Sequence, residues 1–244
     1  MKDRIDVLVI IPAHNEGESL GRVVAQVRTH VPSADILVID DGSIDNTDTV
    51  AREAGALVIS LPQNLGIGAA TQTGYIFAHE MGYDLVARVD ADGQHDPVEI
   101  PTLISALSEG GAHVVVGSRF AEGGEHATSF VRRLGIWVLA TLISLITDQK
   151  VTDPTSGFQV VDRDALALYA NHYAHDYPEP ESRVLLHRAG FKVKEIPVSM
   201  GRRLGGRSSI GALDSIHYMV RVTIALLVDL LRAAPQRRKR HGEG

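Results

Sequence analysis

The sequence predicts an α/β fold: a mostly parallel sheet flanked by helices, followed by a C-terminal amphipathic helix. Three observations predict it. Apolar runs of strand length alternate with apolar residues at helical spacing from Ile5 to Gly117, and such alternation implies right-handed crossovers and parallel pairing. The length of 244 residues suits one α/β domain with a modest appendage. A hydrophobic fraction of 44% and a charged fraction of 22% are those of a globular chain that buries a core.

Taken in order, Ile5–Ile11 reads as a buried strand and Glu18–His30 as a helix. Asp35–Ile39 is a second strand, closed by Asp40-Asp41-Gly42-Ser43, whose glycine and serine mark a turn. Thr47–Ala54 reads as a helix, Ala56–Ser60 as a third strand and Ile67–Met81 as another helix. Leu85–Val89 is a fourth strand that runs into Asp90-Ala91-Asp92. Pro97, at a first helical turn, starts a helix to Leu107, and His113–Gly117 is a fifth strand.

The second half is less regular. Leu134–Thr147 is an uncharged helical run, too short for a hydrocarbon core of about 30 Å. Phe158–Val161 and Phe191–Pro197 are further strands, with a helix over Pro178–Ala189 between them. Leu213–Arg232 is a long amphipathic helix whose apolar run is broken by Asp214, Arg221 and Asp229. Those charges argue against a membrane span, leaving the helix to pack on the domain or lie in a membrane interface. The expected division is a main domain over residues 1–211, then the helix and a basic tail over 212–244.

Composition excludes several chemistries. The chain has no cysteine, which removes disulfides, thiolate metal sites and a cysteine nucleophile. The apolar stretch Val7–Ile11 is too short for a secretory signal. Net charge is −6, yet Arg237-Arg238-Lys239-Arg240 stands near the end. That tail either solvates a terminus or meets anionic lipid, at about 1 kcal/mol per basic residue. With basic charge confined to the tail and aromatics at 5%, no nucleic-acid partner is expected.

In an open parallel sheet, ligands bind outside the carboxyl ends of the strands. Polar sequence follows successive strands there: Pro12-Ala13-His14-Asn15-Glu16, Asp40-Asp41-Gly42-Ser43, Pro62-Gln63-Asn64-Leu65-Gly66 and Asp90-Ala91-Asp92. Acids converging on one rim repel unless a cation or a donor compensates them. Asp90, Asp92 and the Gln94 amide oxygen make a hard-oxygen set that favours Mg2+ or Mn2+ over zinc. His95 is either a further ligand or a hydrogen-bonding loop residue. Asp90 and Asp92 also have a blander reading, as caps of the helix that begins near Pro97.

These motifs, in this order, resemble the family 2 glycosyltransferases of GT-A fold, and most nearly their dolichol- and polyprenyl-phosphate sugar synthase branch. The resemblance rests on Ile11-Pro12-Ala13-His14-Asn15-Glu16, Asp40-Asp41-Gly42-Ser43, Asn64-Leu65-Gly66 and Asp90-Ala91-Asp92-Gly93-Gln94-His95. It continues through Gly117-Ser118-Arg119-Phe120, Asp153-Pro154-Thr155-Ser156-Gly157-Phe158 and Arg203-Leu204-Gly205-Gly206-Arg207-Ser208-Ser209, so it spans Ile5 to Ile210. The main domain is then a GT-A glycosyltransferase domain, and the expected activity is inverting transfer from a UDP- or GDP-sugar donor.

The resemblance implies residue roles. Pro12, Ala13, Asn15 and Glu16 would line the nucleotide pocket, and Asp41 would accept a hydrogen bond from the base edge. Gly66 and Gly68 would let backbone approach the sugar nucleotide. Asp90, Asp92 and Gln94 would hold the Mg2+ or Mn2+ that bridges the diphosphate, so that Asp92 serves leaving-group departure. Arg119 and Arg132 would grip the acceptor phosphate. Arg203 and Ser209 belong to a late loop expected to close over the donor phosphates. The chain departs from the branch at two places: Ile136 stands where a serine is usual, and Ser208-Ser209 where serine-lysine is common.

A polyprenyl phosphate is the expected acceptor, with a sugar hydroxyl of a growing glycan as the alternative. The phosphate is already an anion, whereas a hydroxyl needs a carboxylate base beside it. Asp176-Tyr177-Pro178-Glu179-Pro180-Glu181 offers carboxylates for that task. Glu179 and Glu181 equally suit the first turn of a helix, and Asp176 its N-cap. The reading from another class is a non-catalytic nucleotide-sugar sensor. A glycoside hydrolase works with two carboxylates and no metal, which fits this pattern poorly. The expected location is cytoplasmic, peripheral on the inner face of the cell membrane, with a membrane-protein partner possible.

Overall fold

The central strand, β1 (Val7–Ala13), is buried at every position. Its continuous apolar run is what a parallel strand covered on both faces requires. The structure, a computed structural model, describes residues 5–121, 130–201, 221–226 and 228, without the side chains of 130–132. Around β1 stand β2 (Asp35–Asp40), β3 (Leu57–Ser60), β4 (Leu85–Arg88), β5 (Val114–Ser118), β6 (Gln159–Asp162) and β7 (Val193–Pro197). They form a seven-stranded sheet in the order β3-β2-β1-β4-β6-β5-β7. All pairings are parallel except those of β6, which runs antiparallel to β4 and β5.

Helices cover both faces. On one lie α1 (Gly17–His30), α2 (Thr47–Glu53) and α4 (Ile100–Ser108), the last entered through a 3-10 turn at Pro97–Glu99. Leu20, Val23, Val24 and Val27 of α1 and Leu103, Ala106 and Leu107 of α4 bury there against β1, β2 and β4. The other face carries α3 (Ile67–Met81), α6 (Arg163–Asn171) and α7 (Pro178–Arg188), through Tyr75, Leu166, Tyr169 and Leu186. The expected α/β class and mostly parallel sheet are those observed.

Three local findings differ from the sequence reading. Helix α6 was not expected, because it follows β6 without a loop; Asp162 ends the strand and caps the helix, accepting the Ala165 N–H at 2.8 Å. The acid expected to cap α7, Asp176, does not: its N-cap position is Tyr177, with no side-chain cap bond. Helix α5 (Phe130–Thr147) starts earlier than Leu134 and has 18 residues. Among the described residues no helix is long and apolar enough to cross a membrane.

Of the expected C-terminal helix, residues 221–226 and 228 are described as helical. Val222 and Leu226 are fully buried against Leu139 and Ile143 of α5 and Val184 of α7. This part of the helix therefore packs on the domain. The basic tail at 237–240 lies outside the described residues.

Candidate active site

Strands β3, β2, β1 and β4 are parallel, so their carboxyl ends meet at one edge. A cavity of about 290 Å³ opens there, lined by Pro12, Ala13, His14, Glu16, Asp41, Asn64, Gly66, Ile67, Ala70, Asp90, Ala91 and Asp92. It sits where the chain leaves β1 for one neighbour and returns on the other side through β4, the place an open α/β sheet offers a ligand.

Asp41 shapes this cavity. Its Oδ1 accepts the Leu65 N–H at 2.8 Å and its Oδ2 the Gly66 N–H at 2.9 Å, so the carboxylate fastens the loop before α3. Gly66 has φ 93°, a conformation that favours glycine, and its Cβ position faces open space. Gly68 packs tightly against the chain that precedes α7. A Cβ there would lie 2.4 Å from the His175 carbonyl oxygen, so its bareness serves packing within the protein.

Asn15 is not on the cavity lining. Its Oδ1 accepts the Ile44 N–H at 2.9 Å and its own N–H donates to Ser43 Oγ at 2.9 Å, which ties the loops after β1 and β2 together. Glu16 does line the cavity, and Ser19 Oγ donates to its Oε2 at 3.0 Å.

Beyond β4 the acidic loop folds back on itself. Gln94 N–H donates to Asp92 Oδ1 at 2.9 Å. The His95 ring is buried, stacked on Phe158 at 4.9 Å, and its Nδ1 accepts the Asp90 N–H at 3.1 Å. His95 is thus the loop-bonding residue of the two readings above. The helix cap is Asp96, which accepts the Val98 N–H at 3.1 Å, so Asp90 and Asp92 are left for the cavity. Gly201 N–H donates to Gln94 O at 2.8 Å, stitching the chain after β7 to this loop.

Among the described residues no cluster of three or more His, Cys, Asp or Glu side chains is gathered for a metal. Asp90 and Asp92 present two hard carboxylates to the same cavity. That set fits Mg2+ or Mn2+, which are commonly held by one or two carboxylates completed by substrate phosphates. Burial raises the Asp90 carboxyl, but the neighbouring His95 and the Arg88 guanidinium outweigh burial and hold it below the usual carboxylate range. Gln94 is exposed and stands off the cavity lining.

Arg119, expected to grip an acceptor phosphate, is held within the protein. Its Nε meets Asp153 Oδ2 at 2.7 Å, and its Nη2 meets Asp153 Oδ1 at 2.8 Å and Thr155 Oγ1 at 2.7 Å. The Asp-Pro-Thr-Ser-Gly motif therefore serves to orient this arginine. Arg132 lies in α5, but its side chain is outside the described residues, as are Arg203 and Ser209 altogether. Beside Phe120, a groove of about 820 Å³ runs along α5, lined by Arg133, Ile136, Trp137, Ala140, Leu145 and Lys150 among others. Ile136 occupies a wall of it.

The residue that sequence reasoning missed is Arg88. It is 2% exposed, yet it ends β4 immediately beneath the cavity. Its Nη1 pairs with Glu179 Oε1 at 2.9 Å, and its Nη2 with Asp90 Oδ1 at 3.3 Å. Nη1 also donates to Tyr173 Oη at 3.3 Å, while Nε is buried without a hydrogen-bond partner. Gly157 makes the room, since a Cβ there would lie 2.7 Å from the guanidinium carbon. An arginine in a buried strand, two residues before an acid, was the available signal.

Known proteins share this architecture. The chain is similar to the undecaprenyl-phosphate mannosyltransferase of Micrococcus luteus, 31% identical over 216 residues covering 84% of this chain and 87% of the relative. It is similar also to the polyprenol monophosphomannose synthase of Mycolicibacterium smegmatis, 31% identical over 231 residues covering 88% and 84%. Its fold matches the solved structure of glucosyl-3-phosphoglycerate synthase from Mycobacterium tuberculosis in complex with Mn2+, uridine diphosphate and phosphoglyceric acid. The TM-score is 0.70 at 23% identity, covering 93% of this chain and 79% of that one. The sequence model of glycosyl transferase family 2 matches residues 8–169. With that match, these relatives and the GT-A architecture around the cavity, the chain belongs to glycosyl transferase family 2 and is a glycosyltransferase.

Proposed function

We propose that this enzyme moves a sugar, with inversion, from a UDP- or GDP-sugar to a polyprenyl phosphate at the inner face of the cell membrane. The observation that carries the donor half is the cavity at the carboxyl edge of the sheet, where Asp41, Asp90 and Asp92 converge. The similar Micrococcus and Mycolicibacterium enzymes, named for undecaprenyl phosphate and polyprenol, support the acceptor half. Mn2+ beside uridine diphosphate in the glucosyl-3-phosphoglycerate synthase structure supports a divalent cation.

In this reading the nucleotide lies in the cavity against Pro12, Ala13, Glu16 and the Asp41-held loop, and the diphosphate reaches Asp90 and Asp92. Asp90 and Asp92, with help from Gln94, would hold Mg2+ or Mn2+, which would supply Lewis-acid stabilisation of the departing diphosphate. Asp90 and Asp92 orient the diphosphate from the cavity lining. An acceptor phosphate needs no base, because it is an anion at neutral pH. Arg119, pre-aligned by Asp153 and Thr155, presents guanidinium N–H groups toward it, joined by Arg132. Arg203 and Ser209 would add contacts to the donor phosphates.

The groove beside Phe120 suits a polyprenyl chain, and Arg133 and Lys150 on its lining suit the anionic head. Trp137 and Leu145 are 64% and 78% exposed on the same helix, which supports peripheral membrane contact through α5. A membrane-protein partner would cover the same face.

Radiolabelled UDP- and GDP-sugars, offered with polyprenyl phosphate or with oligosaccharide, test the reading. Label moving to the lipid with Mn2+ present is the expected result. Label moving only to oligosaccharide would transfer the assignment to a hydroxyl acceptor, and nucleotide-sugar binding with no turnover would make the protein a sensor. Cell fractionation before and after a high-salt wash tests attachment, the protein moving from membrane to supernatant.

A further inference from the structure

Contacts around the donor cavity close into a ring. Asp41 holds the Leu65 and Gly66 amides. Two residues on, Gly68 lies so close to Ala174 and His175 that a Cβ would be 2.5 and 2.4 Å from their carbonyl oxygens. Gln72 of the same helix meets His175 Nε2 through its Oε1 at 2.8 Å. From that segment, Tyr173 and Glu179 reach the Arg88 guanidinium at 3.3 and 2.9 Å. Arg88 in turn reaches Asp90 at 3.3 Å, back on the cavity lining.

We propose that residues 173–179 are a strut behind the donor cavity and that the Arg88–Glu179 ion pair is its fastening. Both residues position Asp90 and the Gly66–Ala70 wall for the sugar nucleotide, and Glu179 is not a catalytic base. The proposal rests on the reading of Asp90 and Asp92 as the donor-diphosphate site.

The charge arrangement supports this. Arg88 is 2% exposed, and a buried cation persists only with compensating partners. It finds two, Asp90 and Glu179, whose side chains are 33% and 16% exposed. A guanidinium keeps its proton at any working pH, so the Glu179 oxygen that it grips at 2.9 Å is committed to that ion pair. The room for this cation comes from Gly157, whose missing side chain would otherwise meet the guanidinium head. One cation thus links the cavity acid to the first turn of α7, and Gly68 links the opposite wall to the start of the same segment.

Glu179→Gln and Glu179→Ala in the full chain test it, with UDP–Mn2+ and GDP–Mn2+ affinity measured by calorimetry beside donor kcat and KM. Glutamine retains an oxygen that accepts from Arg88; alanine does not. The expected result is nucleotide–Mn2+ binding about tenfold weaker in Glu179→Ala, with donor KM raised in step. Glu179→Gln should recover to within about threefold of wild type in all three quantities.

A base role predicts another outcome: both variants lose about 100-fold or more in kcat while nucleotide affinity stays unchanged. That result overturns the proposal, as does wild-type behaviour of both variants. Should Glu179→Ala not fold, Glu179→Gln decides alone, a collapse of kcat with intact binding counting against the strut. Nucleotide binding is read without acceptor, so a wild type that binds nucleotide but labels no polyprenyl phosphate refutes the acceptor assignment and leaves this test standing.

Discussion

Arg119 and Asp153 face each other in a two-pronged ion pair, Nε to Oδ2 at 2.7 Å and Nη2 to Oδ1 at 2.8 Å. Asp153 is fully buried, and it also accepts the Arg119 backbone N–H at 3.1 Å. Removing one partner of such a pair leaves an uncompensated charge. Asp153→Asn should therefore lower stability by about 3 kcal/mol, seen as a lower urea midpoint at unchanged slope. A midpoint equal to wild type would mean that water already satisfies the arginine.

The same pair sets an acid limit. Burial raises the Asp153 carboxyl, but Arg119 outweighs burial and holds it below the usual carboxylate range. Its folded value lies below the unfolded value of about 3.9, so the folded state resists protonation more than the unfolded one. Its contribution is present above that pH and lost as pH falls through the lower, folded value. Urea unfolding at successive pH values should show stability declining below about pH 4, with a shallower decline in Asp153→Asn.

Asp41→Asn probes the loop before α3. An amide nitrogen would face the Leu65 or Gly66 N–H in place of a carboxylate oxygen. One backbone donor would lose its partner, at about 1–3 kcal/mol. Nucleotide affinity should weaken together with protection of the Leu65 and Gly66 amides from hydrogen exchange. Weaker affinity at unchanged protection would instead point to direct contact with the base.

Gly157→Ala should disturb the site without touching it. The new methyl group would sit 2.7 Å from the Arg88 guanidinium carbon, and that side chain is enclosed. A loss of about 1–3 kcal/mol is expected for overpacking of this kind, read as a lower thermal midpoint. Donor KM should rise with it, because displacing Arg88 displaces Asp90. A variant as stable and as active as wild type would show that the guanidinium has room to move.

Asp92→Asn tests the proposed metal role. Turnover should fall on the order of 100-fold, with the remainder demanding more Mn2+. Chelation by EDTA should abolish wild-type transfer, and added Mg2+ or Mn2+ should restore it. Activity that survives exhaustive chelation would remove the cation from the mechanism.

Much of the cavity at the carboxyl edge was legible because its lining is local in sequence. Each acidic or glycine-bearing motif directly follows a strand, and parallel strands joined by helices deliver such ends to one edge. Strand order along the chain thus puts Asp41, Asp90 and Asp92 on one rim, and all three line one cavity. Helix α6 escaped because a single residue, Asp162, both ends a strand and caps the helix, leaving no turn to mark the boundary. The cap expected at Asp176 failed for a similar reason: several polar residues precede α7, and local preference does not choose among them.

The partners of charged side chains were not legible. Arg119 meets Asp153, Arg88 meets Glu179, and Gly68 meets the carbonyls of Ala174 and His175. None of these pairs is joined by a motif or a period. Sequence alone determined the sheet, the edge that carries the site and the acids on it, because strand patterning and short connections govern those. Tertiary structure decided which cation neutralises which acid. A buried charge must be compensated within a few ångströms, and only the packed chain brings its partner that close.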